Sequence, residues 1–207
     1  MRALIIANGT LPSVKIIRKL IRMANSIICA DGGANHAKRL RVSPDCIIGD
    51  FDSILSSTKK HFKHIPMIHI KDQYSTDLEK AISYCIQRRF ESVDIIGATG
   101  DRIDHSTGSL GCFKKYGLDI HIRTVDSAGE LSLIRKSISL QMNIGEKISL
   151  IPLEQCKGVS TKNLLYPLHN ETLELGVREG ISNEATGKTV KIAVGSGTLL
   201  CYQFHRT

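Results

Sequence analysis

Short apolar runs alternate with amphipathic segments along the first 125 residues of the chain. The runs predict six strands, at Ala3–Ala7, Ile27–Ala30, Cys46–Ile48, Met67–Ile70, Val93–Ile96 and Ile120–Val125. Between the runs, apolar residues recur every three or four positions, which predicts helices. The clearest such stripe comprises Leu78, Ala81, Ile82, Cys85 and Ile86. Strand–helix alternation of this kind is typical of a parallel sheet covered by helices, so we predict an α/β domain over residues 1–126.

The pattern changes near Asp126–Gly129, where helical periodicity stops and short strand-like runs follow one another. The runs are Leu131–Ile134, Lys147–Ile151, Thr172–Leu175, Thr189–Val194 and Thr198–Phe204. Glycine, proline and asparagine separate the runs and indicate turns. We therefore predict a second, smaller and antiparallel β domain over residues 127–207.

Polar residues and glycines follow four consecutive strands of the first domain. They form the segments Asp31-Gly32-Gly33-Ala34-Asn35, Gly49-Asp50-Phe51-Asp52-Ser53, Lys71-Asp72-Gln73-Tyr74-Ser75-Thr76-Asp77 and Gly97-Ala98-Thr99-Gly100-Asp101-Arg102-Ile103-Asp104-His105. Ligands of open parallel sheets bind beyond the carboxyl ends of the strands. The four segments are therefore expected to meet at one rim of the sheet and to form a site there.

Aspartates crowded at one rim require cations. Two unit charges about 4 Å apart repel by about 4 kcal/mol at an effective dielectric constant of about 20. The aspartates concerned are Asp31, Asp50, Asp52, Asp77 and Asp104. Oxygen ligands select Mg²⁺, and neighbouring glycines let phosphate oxygens approach backbone N–H groups. With Lys71 and Arg102 close in sequence, the pattern predicts a site for Mg²⁺ and a nucleoside polyphosphate.

Each segment also has a purely structural explanation. Asp31-Gly32-Gly33 alone is most often a turn. Thr76 and Glu79 form a capping-box pattern, in which Asp77 is a favourable acid of the first helical turn. Asp104 could cap the helix that follows it. The coincidence of all of them at four successive strand ends favours a functional site.

Composition and charge narrow the class of protein further. The net charge is +8, and residues 1–125 carry 19 basic and 12 acidic residues, which suits either an anionic ligand or a solvated surface. None of the six cysteines forms a Cys-x-x-Cys pair, so we expect reduced core residues in a cytoplasmic protein. No segment approaches the ~20 apolar residues that span a bilayer, and the first apolar run is short for a signal peptide. We expect no membrane partner.

The order and spacing of these segments resemble the thiamine pyrophosphokinase family. The later segments Gly180-Ile181-Ser182-Asn183-Glu184 and Gly197-Thr198-Leu199-Leu200 resemble it as well. The resemblance implies a Rossmann-like α/β domain and a C-terminal antiparallel β-sandwich that binds thiamine. It also implies a homodimer with the active site at the subunit interface. The implied reaction moves pyrophosphate from ATP to the hydroxyl of thiamine and gives thiamine diphosphate and AMP.

The resemblance assigns roles to individual residues. Asp50, Asp52 and Asp77 match the acids that bind Mg²⁺, and Asp104 matches a further active-site aspartate. Residues expected to contact the substrates are Asp31, Gly32, Lys71, Gln73, Thr76, Arg102, His105, Ser182 and Asn183. Two features depart from the family: Asp101 stands where a small residue is usual, and the chain has no tryptophan to stack on the thiamine pyrimidine.

Three questions stay open at the level of the sequence. The proton acceptor of the thiamine hydroxyl is either Asp104 or Asp77. A metal-dependent phosphohydrolase with Asp50 as nucleophile is the first alternative function, and it would release phosphate without an acceptor. A nucleic-acid-binding module is the second, and its affinity would fall steeply with salt. The acidic rim and an aromatic content of 5% argue against the second, so no nucleic-acid partner is expected.

Overall fold

The computed structural model describes residues 1–100 and 102–205, which form two compact units. The first unit runs from Met1 to Ser127, and the second begins at Ala128. The strands of the first unit are β1 Arg2–Ile6, β2 Ser26–Ala30, β3 Cys46–Gly49, β4 Met67–His69, β5 Ser92–Ile96 and β6 His121–Val125. Its helices are α1 Val14–Met23, α2 Gly33–Leu40, α3 Ser56–His61, α4 Asp77–Gln87 and α5 Ile103–Tyr116.

The six strands of the first unit pair in parallel, in the order β6-β5-β1-β2-β3-β4. All four residues of β3 are buried, as are the last four of β1 and of β5, which indicates that both faces of the sheet are covered. The chain proceeds outward from β1 to β4 and then returns to the other side of β1 with β5. The direction of winding therefore reverses between β1 and β5, which is where α/β sheets bind ligands.

The second unit consists of two antiparallel sheets with a common core. Its strands are β7 Gly129–Ile134, β8 Ser137–Gln141, β9 Lys147–Pro152, β10 Cys156–Lys162, β11 Glu171–Leu173, β12 Gly180–Glu184, β13 Thr189–Ala193 and β14 Leu199–Phe204. One sheet has the order β12-β9-β14-β7 and the other the order β11-β10-β13-β8. Ile148 and Leu199 of the first sheet and Val159 and Val190 of the second belong to one buried cluster. This arrangement is a β-sandwich.

The predicted fold class, a parallel α/β domain followed by an antiparallel β-sandwich, is confirmed by these two units. All eleven predicted strands are present, with ends that differ by at most two residues. Within the described part of the chain, no helix has both the length and the apolar character that crossing a bilayer requires.

Candidate active site

The loops after β1 and β5 interlock at the point where the winding reverses. The Gly9 amide donates to the Gly97 carbonyl at 2.8 Å, and the Thr10 amide donates to the Thr99 carbonyl at 2.7 Å. A Cβ at Gly9 would lie 2.3 Å from the Thr99 oxygen, so only glycine permits this approach. The β1 loop is absent from the site residues predicted above. Asn8-Gly9 directly after the first strand is the signal that could have revealed it.

Three aspartates from neighbouring strand ends form a cluster. One carboxylate oxygen each of Asp31, Asp50 and Asp77 lies within 4.8 Å of the other two. Asp31 is buried, Asp77 is half-buried and Asp50 is exposed, so the cluster opens to solvent on the Asp50 side. Burial raises the pKa of Asp31, and the charge of Asp77 adds to this rise.

Unusual backbone conformations surround the Asp31 carboxylate. Asp31 has φ of 40° and Phe51 has φ of 69°, a region that non-glycine residues seldom adopt. Asp31 Oδ2 accepts a hydrogen bond of 3.1 Å from the Ser53 amide, whereas Oδ1 is buried without a partner among the described residues. A Cβ at Gly49 would lie 2.8 Å from the Asp31 Cβ and 3.1 Å from Asp77 Oδ1. Glycine at 49 thus lets the two acids approach.

These features fit a hard cation. Three carboxylates with one unsatisfied buried oxygen offer the ligands that Mg²⁺ takes in proteins. Of the three acids assigned to the metal by resemblance, Asp50 and Asp77 belong to the cluster, and Asp31 rather than Asp52 is the third. Asp52 Oδ1 accepts instead from Ser53 Oγ at 2.9 Å, and the Asp52 amide donates to Asp50 Oδ1 at 3.2 Å.

Asp77 is held by the N-cap of helix α4 and by a lysine one helical turn later. Thr76 is its N-cap: Thr76 Oγ1 accepts from the Glu79 amide at 3.3 Å, and Glu79 Oε2 accepts from the Thr76 amide at 2.8 Å. Asp77 follows as the first helical residue. One turn later, Lys80 Nζ lies 3.0 Å from Asp77 Oδ1, and the lysine side chain is only 4% exposed. Lys80 is a site residue that the sequence prediction missed.

The loop before α4 is exposed and ordered by its own hydrogen bonds. Asp72 accepts from Ser75 Oγ and from the Tyr74 amide, which lowers the pKa of Asp72. Lys71 and Gln73, both predicted to contact the substrates, are exposed on this loop. Solvent therefore reaches both side chains.

Arg102 and Asp104 pair with each other. Arg102 Nη2 lies 2.5 Å from Asp104 Oδ2, and both side chains are more than half exposed. This hydrogen bond lowers the pKa of Asp104 to about 2, which makes Asp104 a weak proton acceptor. His105 is exposed on α5, and Asp101 lies outside the described residues.

A cavity of about 390 Å³ lies between α2 and α3, beside the loop of residues 50–55 that follows β3, called here the acidic loop. Among its lining residues are Asn8, Asn35, His36, Lys38, Arg39 and Leu55. Asn35 joins the cavity to the acidic loop, because its amide donates to the Ser53 carbonyl at 2.9 Å and accepts from the Leu55 amide at 3.1 Å. Gly32 caps α2 next to it, and a Cβ at Gly32 would lie 2.5 Å from the Asn8 side chain.

In the second unit, Asn183 holds the backbone of Tyr166. Asn183 Nδ2 donates to the Tyr166 carbonyl at 2.7 Å, and Oδ1 accepts from the amides of Tyr166 at 3.1 Å and Glu184 at 2.9 Å. The Asn183 side chain is thus committed to the backbone, whereas Tyr166 is 68% exposed. The neighbouring Ser182 has φ of 57°, and its amide donates to Ser149 Oγ at 2.9 Å.

An α/β unit with an acidic site at its carboxyl rim, followed by a β-sandwich, places the chain in the class of two-domain α/β enzymes. Two family models match the chain: "Thiamin pyrophosphokinase, catalytic domain" over residues 17–124 and "Thiamin pyrophosphokinase, vitamin B1 binding domain" over residues 135–199. The chain belongs to the thiamine pyrophosphokinase family. The resemblance seen in the sequence is thereby confirmed.

Individual relatives agree with this assignment. Thiamine pyrophosphokinase 1 of Oryza sativa subsp. japonica is 27% identical over 224 residues, covering 94% of this chain and 84% of the relative. The thiamine pyrophosphokinase of Bacillus subtilis (strain 168) is 29% identical over 161 residues, covering 73% and 74%. A crystal structure of thiamine pyrophosphokinase from Bacillus subtilis superposes with a TM-score of 0.86 at 22% identity and covers 100% of both chains, which shows a common fold.

Proposed function

We propose that this enzyme transfers pyrophosphate from ATP to the hydroxyl of thiamine and releases AMP. The observation that carries the proposal is the cluster of Asp31, Asp50 and Asp77, which lies within the match to the family's catalytic domain. The separate match to a vitamin B1-binding domain supplies the acceptor side. The phosphohydrolase alternative finds no support in these matches.

Asp31, Asp50 and Asp77 would hold Mg²⁺, and the neighbouring Asp52 stays a predicted ligand. When bound there, the ion would neutralise phosphate oxygens and the charge that develops on them during transfer. The cavity between α2 and α3 is proposed to take the nucleoside of ATP, where Asn8 and His36 offer hydrogen bonds and Arg39 a positive charge. Asp77 and Asp104 both stay candidate proton acceptors, since each carboxylate pairs with a cation, Asp77 with Lys80 and Asp104 with Arg102.

The thiamine side is proposed to lie around Tyr166. The match to the vitamin B1-binding domain contains Tyr166, Ser182 and Asn183. Because the chain has no tryptophan, the exposed tyrosine ring is the aromatic surface offered here to the pyrimidine of thiamine. Asn183 would act on thiamine indirectly, by holding the backbone that presents this ring.

A homodimer is part of the proposal. Several large apolar side chains of the second unit are exposed, namely Leu165, Tyr166, Leu175, Val177 and Ile181. Contact with a second copy would cover such side chains and bring a β-sandwich to the acidic rim of its partner. A cytoplasmic location is also proposed, because all six cysteines are free and buried, as in a reducing compartment.

The products of the reaction test the proposed function. With ATP, Mg²⁺ and thiamine supplied together, we expect AMP and thiamine diphosphate in equal amounts. Chromatography of the reaction mixture measures both. ADP with thiamine monophosphate would instead identify an ordinary kinase, and phosphate released without thiamine would favour a phosphohydrolase.

The cap of α4 gives a second prediction. Thr76→Ala is expected to lower the free energy of unfolding by about 1 kcal/mol, because it removes the N-cap hydrogen bond. It is also expected to lower kcat several-fold, because the capped turn orients Asp77. Thermal melts and initial rates measure the two effects.

Ser13→Ala is the matched control, since Ser13 caps α1, whose residues are not part of the acidic cluster. It is expected to cost similar stability without lowering kcat. Equal kcat for Thr76→Ala and Ser13→Ala would assign Thr76 a structural role alone.

A further inference from the structure

Lys80 is an unusually buried lysine. Its side chain is 4% exposed, whereas lysine side chains are almost never fully buried unless they are paired. Its Nζ lies 3.0 Å from Asp77 Oδ1, and α4 packs on β2 and β3, the strands that end at Asp31 and Asp50. Lys80 therefore approaches the acidic cluster from the protein interior, opposite its exposed Asp50 side.

The charges of this site balance in a specific way. The three carboxylates carry three negative charges when ionised, and the Lys80 ammonium offsets one of them. Within this set of three carboxylates and one ammonium, two negative charges then remain, which one divalent cation would neutralise. Without the lysine, three carboxylates within 4.8 Å of one another would lose the positive charge that lies 3.0 Å from Asp77 Oδ1.

A second ion pair of α4, between Glu79 and Lys115 of α5, is exposed where the Lys80 pair is buried. Lys115 of α5 lies 2.6 Å from Glu79 Oε1, but its side chain is 54% exposed. Water screens a pair of this kind, and Glu79 is not a member of the cluster. Of these two pairs, the buried one includes a member of the acidic cluster and therefore changes the charge of the cluster.

We propose that Lys80 is the built-in counter-charge of the acidic cluster and that it limits the cluster to one divalent cation of moderate affinity. Lys80 acts through Asp77, so it is a positioning residue. The inference rests on the proposed function, because it takes the cluster to be the Mg²⁺ site. It predicts that loss of Lys80 lowers the melting temperature of the metal-free enzyme more than that of the Mg²⁺-bound enzyme.

The test is a thermal melt of the full-length protein in EDTA and across a MgCl₂ titration, at ionic strength held constant with NaCl. We expect Lys80→Met to melt below wild type in EDTA and to bind Mg²⁺ at least about 10-fold more tightly, equivalent to about 1.4 kcal/mol. The rise in melting temperature with Mg²⁺ should therefore be larger than in wild type. Lys115→Met, the control, should bind Mg²⁺ as wild type does.

A second variant separates charge from packing. Asp50→Asn in the Lys80→Met background restores two negative charges at the exposed end of the cluster, away from the lysine itself. It should melt above Lys80→Met in EDTA, and should fold even where Lys80→Met does not. Failure of both to fold, no recovery by Asp50→Asn, or unchanged or weaker Mg²⁺ binding by Lys80→Met would each overturn the inference. A wild-type protein that Mg²⁺ does not stabilise would instead refute the metal site itself.

Discussion

Asp50→Asn is expected to lower kcat at least about 100-fold while leaving the metal-free fold at least as stable as wild type. Asp50 is exposed and belongs to the three-carboxylate cluster, so its loss removes a metal ligand and not a core contact. Loss of such a ligand removes several kcal/mol of charge stabilisation from the transition state. Removal of one of three like charges also relieves repulsion in the metal-free protein.

Steady-state rates of AMP formation beside thermal melts in EDTA measure the two effects. Asp119→Asn is a suitable control, because Asp119 precedes β6 and so lies at the amino end of the parallel strands, away from the acidic rim. Asp52→Asn is the informative comparison. The sequence predicts an equal loss for Asp52, whereas a structure with Asp52 outside the cluster predicts a smaller one. Near-normal kcat for Asp50→Asn would refute metal binding by the cluster.

The elements with a strong apolar pattern could be predicted from the sequence, and those without one could not. Helix α2 was not predicted, because its buried residues are the small Gly33, Ala34 and Ala37. Small residues do not form the stripe of large apolar side chains by which a helix is recognised in a sequence. Strand β8 alternates between exposed and half-buried positions and contains no fully buried residue. Strand β10 contains Gly158 at φ of 69°, within a register shift. A sheet partner, not the local sequence, stabilises such strands.

Some residues of the site could likewise be predicted from the sequence, and others could not. Asp50 follows β3 directly and Asp77 begins the helix after β4, so the rule for parallel sheets places both at the rim. Lys80 was missed because a lysine inside a helix is normally a solvated residue, and only the tertiary fold buries it beside Asp77. Asn183 was assigned to thiamine by resemblance, but its amide makes backbone hydrogen bonds. A sequence pattern locates such a side chain without showing which partner satisfies it.

A composite site predicts complementation between two inactive variants. Asp50→Asn damages the acidic rim, and Tyr166→Ala damages the proposed thiamine side. Tyr166 suits this purpose better than Asn183, because its side chain is 68% exposed and its truncation leaves the Asn183 hydrogen bonds in place. Each variant alone is expected to lose most activity, Asp50→Asn through kcat and Tyr166→Ala chiefly through a raised KM for thiamine.

Mixed and re-associated subunits of the two variants are expected to recover about a quarter of wild-type activity at subsaturating thiamine. Random pairing in a two-fold dimer makes about half of the dimers mixed, and each mixed dimer holds one doubly damaged and one intact site. The intact site arises only if each site takes its acids from one subunit and Tyr166 from the other. Two different affinity tags, purified in sequence, isolate the mixed dimers and prove exchange. Mixed dimers without recovered activity would mean that Asp50 and Tyr166 serve the same subunit's site, whereas a failure to form any dimer would refute the composite site at its foundation.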